Sequence, residues 1–298
     1  MLALAGKAHG TSPIVVAAMM GLAALAGVLF LTSGKAQRWR RRYERRSRKM
    51  LTKVPEATAL FWVTKVLTTG MGETTSDYLV KRIDRPIAVA LGAVGLVAAL
   101  ALQFSARRYV AWIYWFAVVM VAVVGTMAAD VLHVQLGIPY VASTIFFLVA
   151  LAGVFTVWYL VERTLSIHSI DTPRRELFYW AAVMTTFALG TAAGDFTAVT
   201  LHLGYFSSGV MFAALIAVPA LSYRRFGLNP IAAFWFAYIV TRPLGASFAD
   251  WIAVPRSRGG LAIGNGVVSF TLAIVIVGLV GYLTLTPGDE VVSSEPDA

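Results

Sequence analysis

The chain has 298 residues, of which 58% are hydrophobic and 13% charged, and its mean hydropathy is +0.74. A soluble protein of this size carries about a quarter charged residues, so a large soluble domain is excluded, and recurring apolar runs of roughly 20 residues mark a polytopic membrane protein. Cysteine is absent, which removes disulfides and thiolate metal sites, and the net charge of +10 is local, since ten of the 25 Lys and Arg lie between Lys35 and Lys53.

The first apolar segment, 13–32, is expected to form an N-terminal anchor helix within residues 1–34. It runs into KAQRWRRRYERRSRKMLTK, a polybasic linker over 35–53. Such a stretch directly after an apolar helix is a cytoplasmic anchor attracted to anionic headgroups; membrane lipid is its expected partner, and nucleic acid is not. Eight further spans are predicted at 57–80, 87–104, 109–132, 138–161, 177–201, 205–222, 231–252 and 262–285. With the first helix entering from outside, Arg107, Arg108, Arg163, Arg174, Arg175, Arg224 and Arg225 fall inside, and Lys81, Arg82, Arg85, Arg256 and Arg258 outside. This orientation rests mainly on the polybasic linker and puts the C-terminus in the cytoplasm. The tail, 287–298, is acidic and is expected to be disordered.

Four of these spans begin alike. An aromatic–Trp pair stands at 61–62, 114–115, 179–180 and 234–235. Counting from Trp62, Trp115, Trp180 and Trp235, the tenth residue is a glycine (Gly72, Gly125, Gly190, Gly245) and the fifteenth an aspartate (Asp77, Asp130, Asp195, Asp250). Each motif span is followed by a plainer apolar span. The fold class is therefore all-α: four two-helix repeats of the same orientation at 54–106, 107–165, 172–223 and 229–286, preceded by the anchor helix. Two-span units keep their orientation, so a pseudo-symmetry axis runs along the membrane normal. Pro55, Pro173 and Pro230 are expected in the first helical turn, where proline costs least.

With KVPEATALFWVTKVLTTGMGETTSDYL in the first unit and FWFAYIVTRPLGASFAD in the last, the chain from Lys53 to about Leu285 resembles a bacterial family of "membrane-anchored" proteins defined by four repeats of unknown function. The resemblance implies the repeat architecture and a bacterial inner-membrane location, and it implies no activity. Residues 1–50 precede the resembling region and are read as an added anchor or as a start placed upstream, with Met50 as the other candidate start.

The physical roles follow from position. Each glycine, with a small residue four later, lets backbones approach in lipid, so the motif helices are expected to pack centrally with the plainer spans outside. Each Trp is expected at the cytoplasmic interface, its N–H wet. The aspartates, about 22 Å further along, are expected either to cap return helices or to form an acidic ring for a cation. Glu73 stacks with Asp77 on that face, and His133 and His202 join it as candidate metal ligands. Lys65 and Arg242 lie within spans and need partners; an Arg242–Glu73 pair is expected where the first and fourth repeats meet. Pro243 is expected to kink the last motif helix.

These features point to a secondary transporter binding a cation, a divalent metal included, at the acidic face. No nucleotide motif accompanies them. An anionic-solute transporter using Lys65 and Arg242 and a non-transport scaffold or partner subunit are the alternatives. No serine–histidine or HExxH arrangement suggests an enzyme, no cofactor is indicated, and homo-oligomerisation is left open.

Overall fold

The computed structural model describes residues 52–226 and 229–285. The anchor helix at 13–32, nearly all of the polybasic linker and the acidic tail lie outside the described residues. Eight helices follow one another: α1 (Ala59–Arg82), α2 (Arg85–Ser105), α3 (Ala111–Asp130), α4 (Tyr140–Glu162), α5 (Pro173–Asp195), α6 (Gly204–Phe226), α7 (Pro230–Ala253) and α8 (Asn265–Leu285). They coincide with the eight predicted spans to within a few residues, and no strand accompanies them among the described residues.

Local chemistry fixes several of the helix starts. Thr58 accepts from the Phe61 N–H at 3.3 Å ahead of α1, Thr172 caps α5, and Asn229 Oδ1 accepts from the Ile231 N–H at 2.8 Å ahead of α7. Pro173 and Pro230 are the first residues of their helices, where a missing N–H is harmless. Pro55 corrects its expectation: Thr58 provides the cap, so α1 starts at Ala59 and Pro55 stays in the lead-in segment. That segment lies across the tryptophan end of the bundle. Lys53 donates its backbone N–H to Ile170 O, and its ammonium sits 2.6 Å from Glu176 Oε2 and 3.2 Å from Phe104 O. Glu176 Oε1 also accepts from Gln103. Lys53, assigned to the lipid-binding linker, is thus enclosed by protein, because a buried carboxylate on α5 needs a counter-charge.

The motif helices α1, α3, α5 and α7 form a closed ring, each touching the next and α7 returning to α1. The plainer helices sit outside it. Each packs chiefly on the following motif helix: α2 on α3, α4 on α5, α6 on α7, and α8 on α1. The last unit therefore closes on the first, and one chain completes the ring. Burial separates the layers, with 56, 67 and 56% of the apolar windows of α3, α5 and α7 buried against 22, 17 and 17% for α2, α4 and α8. The outer helices expose Val94, Val97, Phe146, Val149, Phe270 and Val277, as lipid-facing helices do.

Six helices are long and apolar enough to cross a membrane, and α6 adds a shorter apolar stretch, Gly204–Pro219. The remaining helix, α1, is the most polar. It packs between α3, α7 and α8, with Lys65 and Glu73 buried against neighbours rather than lipid. Charge is tolerated in α1 because the ring encloses it.

Candidate functional site

The ring is held by two contacts that repeat around it. At the tryptophan end, the aromatic residue before each Trp meets the Trp of the next motif helix. Phe61 lies 5.7 Å from Trp115, Tyr114 5.7 Å from Trp180, Tyr179 6.1 Å from Trp235 and Phe234 5.6 Å from Trp62. The Tyr114 and Tyr179 hydroxyls share a 2.6 Å hydrogen bond. This corrects the interfacial reading of the tryptophans: Trp115, Trp180 and Trp235 are 1, 4 and 4% exposed and Trp62 is half-buried. The rings interlock across the bundle because an aromatic pair on every helix leaves each Trp a neighbour to pack on. Trp235 donates to Leu165 O at 2.9 Å, whereas the Trp115 and Trp180 N–H groups are buried without a protein acceptor among the described residues.

Ten residues after each Trp, the shared glycine faces the residue seven after the Trp on the next helix. A Cβ on Gly72 would strike Ala122, on Gly125 Phe187, on Gly190 Arg242 and on Gly245 Thr69. The closest approaches are helix against helix, as expected for small residues in a membrane bundle.

Along the axis, a stripe of residues four apart runs from the aromatic belt to the aspartates. Next to the belt lie Lys65 and Tyr238. Lys65 is fully buried, its ammonium 4.0 Å from the Tyr238 ring centroid and 4.3 Å from that of Phe187, with no hydrogen-bond partner among the described residues. One turn on, the Arg242 guanidinium lies 5.3 Å from the Phe187 centroid. Its Nη2 donates to Glu73 Oε2 at 2.7 Å, to Thr191 Oγ1 at 2.6 Å and to Thr126 Oγ1, while Nη1 reaches Thr69 O at 3.4 Å. Thr126 and Thr191 also donate to Glu73 Oε2, at 3.3 and 3.5 Å. The pair expected between the first and fourth repeats is present, and it is a four-helix knot. Glu73, Thr126 and Thr191 each stand eleven residues after their Trp, and Ala246 is the fourth member of that level.

The aspartates form the next level. Asp77 is neutralised: its Oδ2 accepts from Lys81 at 2.5 Å and from the Asn265 side chain at 2.8 Å. Asp130 and Asp195 are half-buried and Asp250 is 8% exposed, and none of the three has a hydrogen-bond or ion-pair partner for its side chain among the described residues. Charges of both signs surround them: Glu73, Asp77 and Arg242 act on all three, Lys81 on Asp130 and Arg258 on Asp250. The capping reading fails for Asp77, which meets the start of α8 through the Asn265 amide and not through a backbone N–H. Asp130 and Asp195 instead introduce π-helical turns, Val131–Gln135 and Phe196–Thr200. Nothing in the sequence signals these turns, and π turns are frequent at functional sites.

The metal reading is corrected. Among the described residues no three His, Asp or Glu come together as a group able to hold a metal ion. His133 Nδ1 instead lies 2.8 Å from Ile138 O and its ring stacks on Tyr140, and His202 is exposed on a left-handed turn with φ 56°. Pro243 sits within a continuous α7, against Gly190. One surface cleft, of about 570 Å³, lies beside this level, where Lys81, Arg82, Arg258 and Asn265 line it.

Apolar helices in two layers around a charged axis define a multi-pass α-helical membrane protein built of tandem repeats. Its family follows from comparison with known proteins. The model of the family described as Repeat of Unknown Function (DUF347) matches residues 60–109, 113–164, 178–227 and 233–288, so the chain belongs to that family. Neither the curated proteins nor the solved structures give a match.

Proposed function

We propose that the protein is a membrane carrier that receives a cation at the aspartate end of its axis. The observation that carries this reading is the set Asp130, Asp195 and Asp250, three carboxylates at the same position of their repeats, none of them in an ion pair or side-chain hydrogen bond among the described residues. Unpaired acid inside a membrane bundle is expensive and marks an ion or solute path. Just below it, the Arg242–Glu73 knot closes the axis, and the aromatic belt closes it again at the tryptophan end. A cation that reaches the aspartates competes with Arg242 for Glu73, which gives the knot the role of a gate. In the orientation set by the polybasic linker, the aspartate end faces outward from a bacterial inner membrane.

A thermal-shift panel on detergent-purified protein tests this. A ligand that binds only the native state raises its melting temperature. Potassium, magnesium, spermidine and glutamate are compared on wild type and on Asp195→Asn with Asp250→Asn. A cation-specific shift lost in the double variant supports the carrier. No shift with any of the four, together with a lower melting temperature in the variant, removes it.

A second reading is favoured by two enclosed ion pairs, Arg242–Glu73, which joins the last repeat to the first, and Lys53–Glu176, which ties the lead-in segment to α5. Here the charges act as staples in a scaffold or partner subunit, and the same panel shows destabilisation without any ligand effect.

A further inference from the structure

We propose that the cleft between the end of α1 and the start of α8 holds the headgroup of an anionic phospholipid, with an acyl chain laid along α8. This site is independent of the carrier reading. Lys81 and Arg82 end α1, the short turn Arg256–Arg258 adds Arg258, and the first residues of α8, Asn265 to Val267, form the facing wall. The cleft measures about 570 Å³, and three cations and no carboxylate line it. Lys81 donates to Asp77 Oδ2 at 2.5 Å, and Arg258 Nη2 donates to the Tyr205 hydroxyl at 2.6 Å. An ammonium has three N–H groups and a guanidinium five, so both keep donors for a ligand. The Arg82 guanidinium has a ring beside it, 5.6 Å from the Tyr78 centroid. With Asp77 counted against Lys81, two positive charges are left over.

What lies next to the cleft selects the ligand. α8 is long and apolar enough to cross the membrane, and it exposes Val267, Phe270, Ile274 and Val277. Steps of three and four residues put these side chains on one helix face. Val267 belongs to both features, since it lines the cleft and begins the stripe. A cationic cleft that opens directly onto an apolar, outward helix face offers the two halves of a phospholipid in the right order. Guanidinium groups pair with phosphate oxygens through parallel hydrogen bonds, and basic pockets beside membrane helices bind headgroups. A soluble anion would use the cleft and leave the stripe unused. Lys81 and Asn265 also hold Asp77, so a bound headgroup touches the residues that neutralise one of the four repeat aspartates. In the orientation set by the polybasic linker, the site lies in the outer leaflet, across the membrane from that linker.

A local reporter tests the site without interference from the polybasic linker. The full chain carrying Ile274→Cys, its only cysteine, is labelled with a fluorophore and reconstituted in phosphatidylcholine vesicles. Brominated phosphatidylglycerol or brominated phosphatidylcholine then quenches the label. The expected result is a preference for phosphatidylglycerol of about tenfold, which one charge-assisted hydrogen bond can supply, unaffected by an excess of inorganic phosphate. Arg82→Gln with Arg258→Gln should remove the preference. Arg85→Gln with Arg256→Gln takes the same charge from exposed residues of the same end that do not line the cleft, and should leave the preference intact. Equal quenching by the two lipids before either double substitution overturns the site and needs no further variant. Loss of the preference in both double variants, or its survival in both, overturns it as well, by showing diffuse attraction or none from the cleft. Displacement by inorganic phosphate would make the cleft a soluble-anion site and overturn the lipid.

Discussion

Arg242 has no exposure to solvent, and its charge is balanced by one carboxylate, Glu73, on the far side of the junction between the last repeat and the first. Breaking such a pair strands the surviving charge and costs about 3–5 kcal/mol, whereas removing both charges is far milder. We expect Arg242→Met and Glu73→Gln each to lower the melting temperature of the purified protein markedly, and the double variant to recover most of that loss. A double variant as unstable as the two losses added would show that the groups act separately. Lys53→Met should be destabilising in the same way, since Glu176 would keep only Gln103 as a partner among the described residues. The first pair was legible in the sequence, because two opposite charges stood at nearby depths in the first and last copies of a repeat. The second was not. Lys53 is the end of a polybasic run, and nothing in its neighbourhood distinguishes this lysine, which turns inward, from the nine other basic residues of the stretch. His133 was misread for a related reason: spacing placed it on the acidic face, but its ring stacks on Tyr140 from the following helix.

At the scale of the helices, the bundle depends on four close approaches made by one residue type. Gly72 and Gly245 meet neighbouring backbone as well as side chain, at Ala122 and Val66, so an added methyl has nowhere to go. Gly72→Ala and Gly245→Ala should each cost about 1–3 kcal/mol, the usual penalty of overpacking. Gly190→Ala should do the same by displacing Arg242. By contrast, a methyl added at Gly153, Gly278 or Gly281 would meet nothing within 4 Å, since all three face outward on the outer helices. Alanine there should be neutral or stabilising by up to about 1 kcal/mol, the difference in helix propensity. Comparing thermal unfolding of the six variants checks the division; equal effects in both groups would contradict it. The Trp–Gly–Asp spacing made the inner helices identifiable in the sequence. It did not show the rule of neighbours, in which a glycine packs on a residue seven after the next Trp and each outer helix leans on the next repeat. Those relations belong to the closed ring and exist only once four units are assembled. The π turns after Asp130 and Asp195 were equally hidden, since no residue pattern encodes them.

For the whole molecule, ring closure by α7 on α1 means that one chain encloses the axis. Its two ends differ, one sealed by interlocked aromatics and one carrying carboxylates. The absence of cysteine allows single cysteines to report which end faces where. A cysteine replacing Ser257, in the loop between α7 and α8, should react with a membrane-impermeant maleimide in intact cells, and one replacing Ser105, at the end of α2, should react only after lysis; the reverse pattern would invert the orientation. Two-layer architecture and repeat number were readable from hydropathy and spacing, whereas the direction of the charges along the axis required the assembled bundle. A cation carried along this axis moves charge, and the current recorded from proteoliposomes on a solid-supported membrane when a tetramethylammonium or potassium jump is applied tests this most directly. A cation-dependent charge displacement is expected in wild type and should be abolished by Asp195→Asn with Asp250→Asn. Absence of any displacement with either cation, from vesicles shown to hold folded protein, would contradict it.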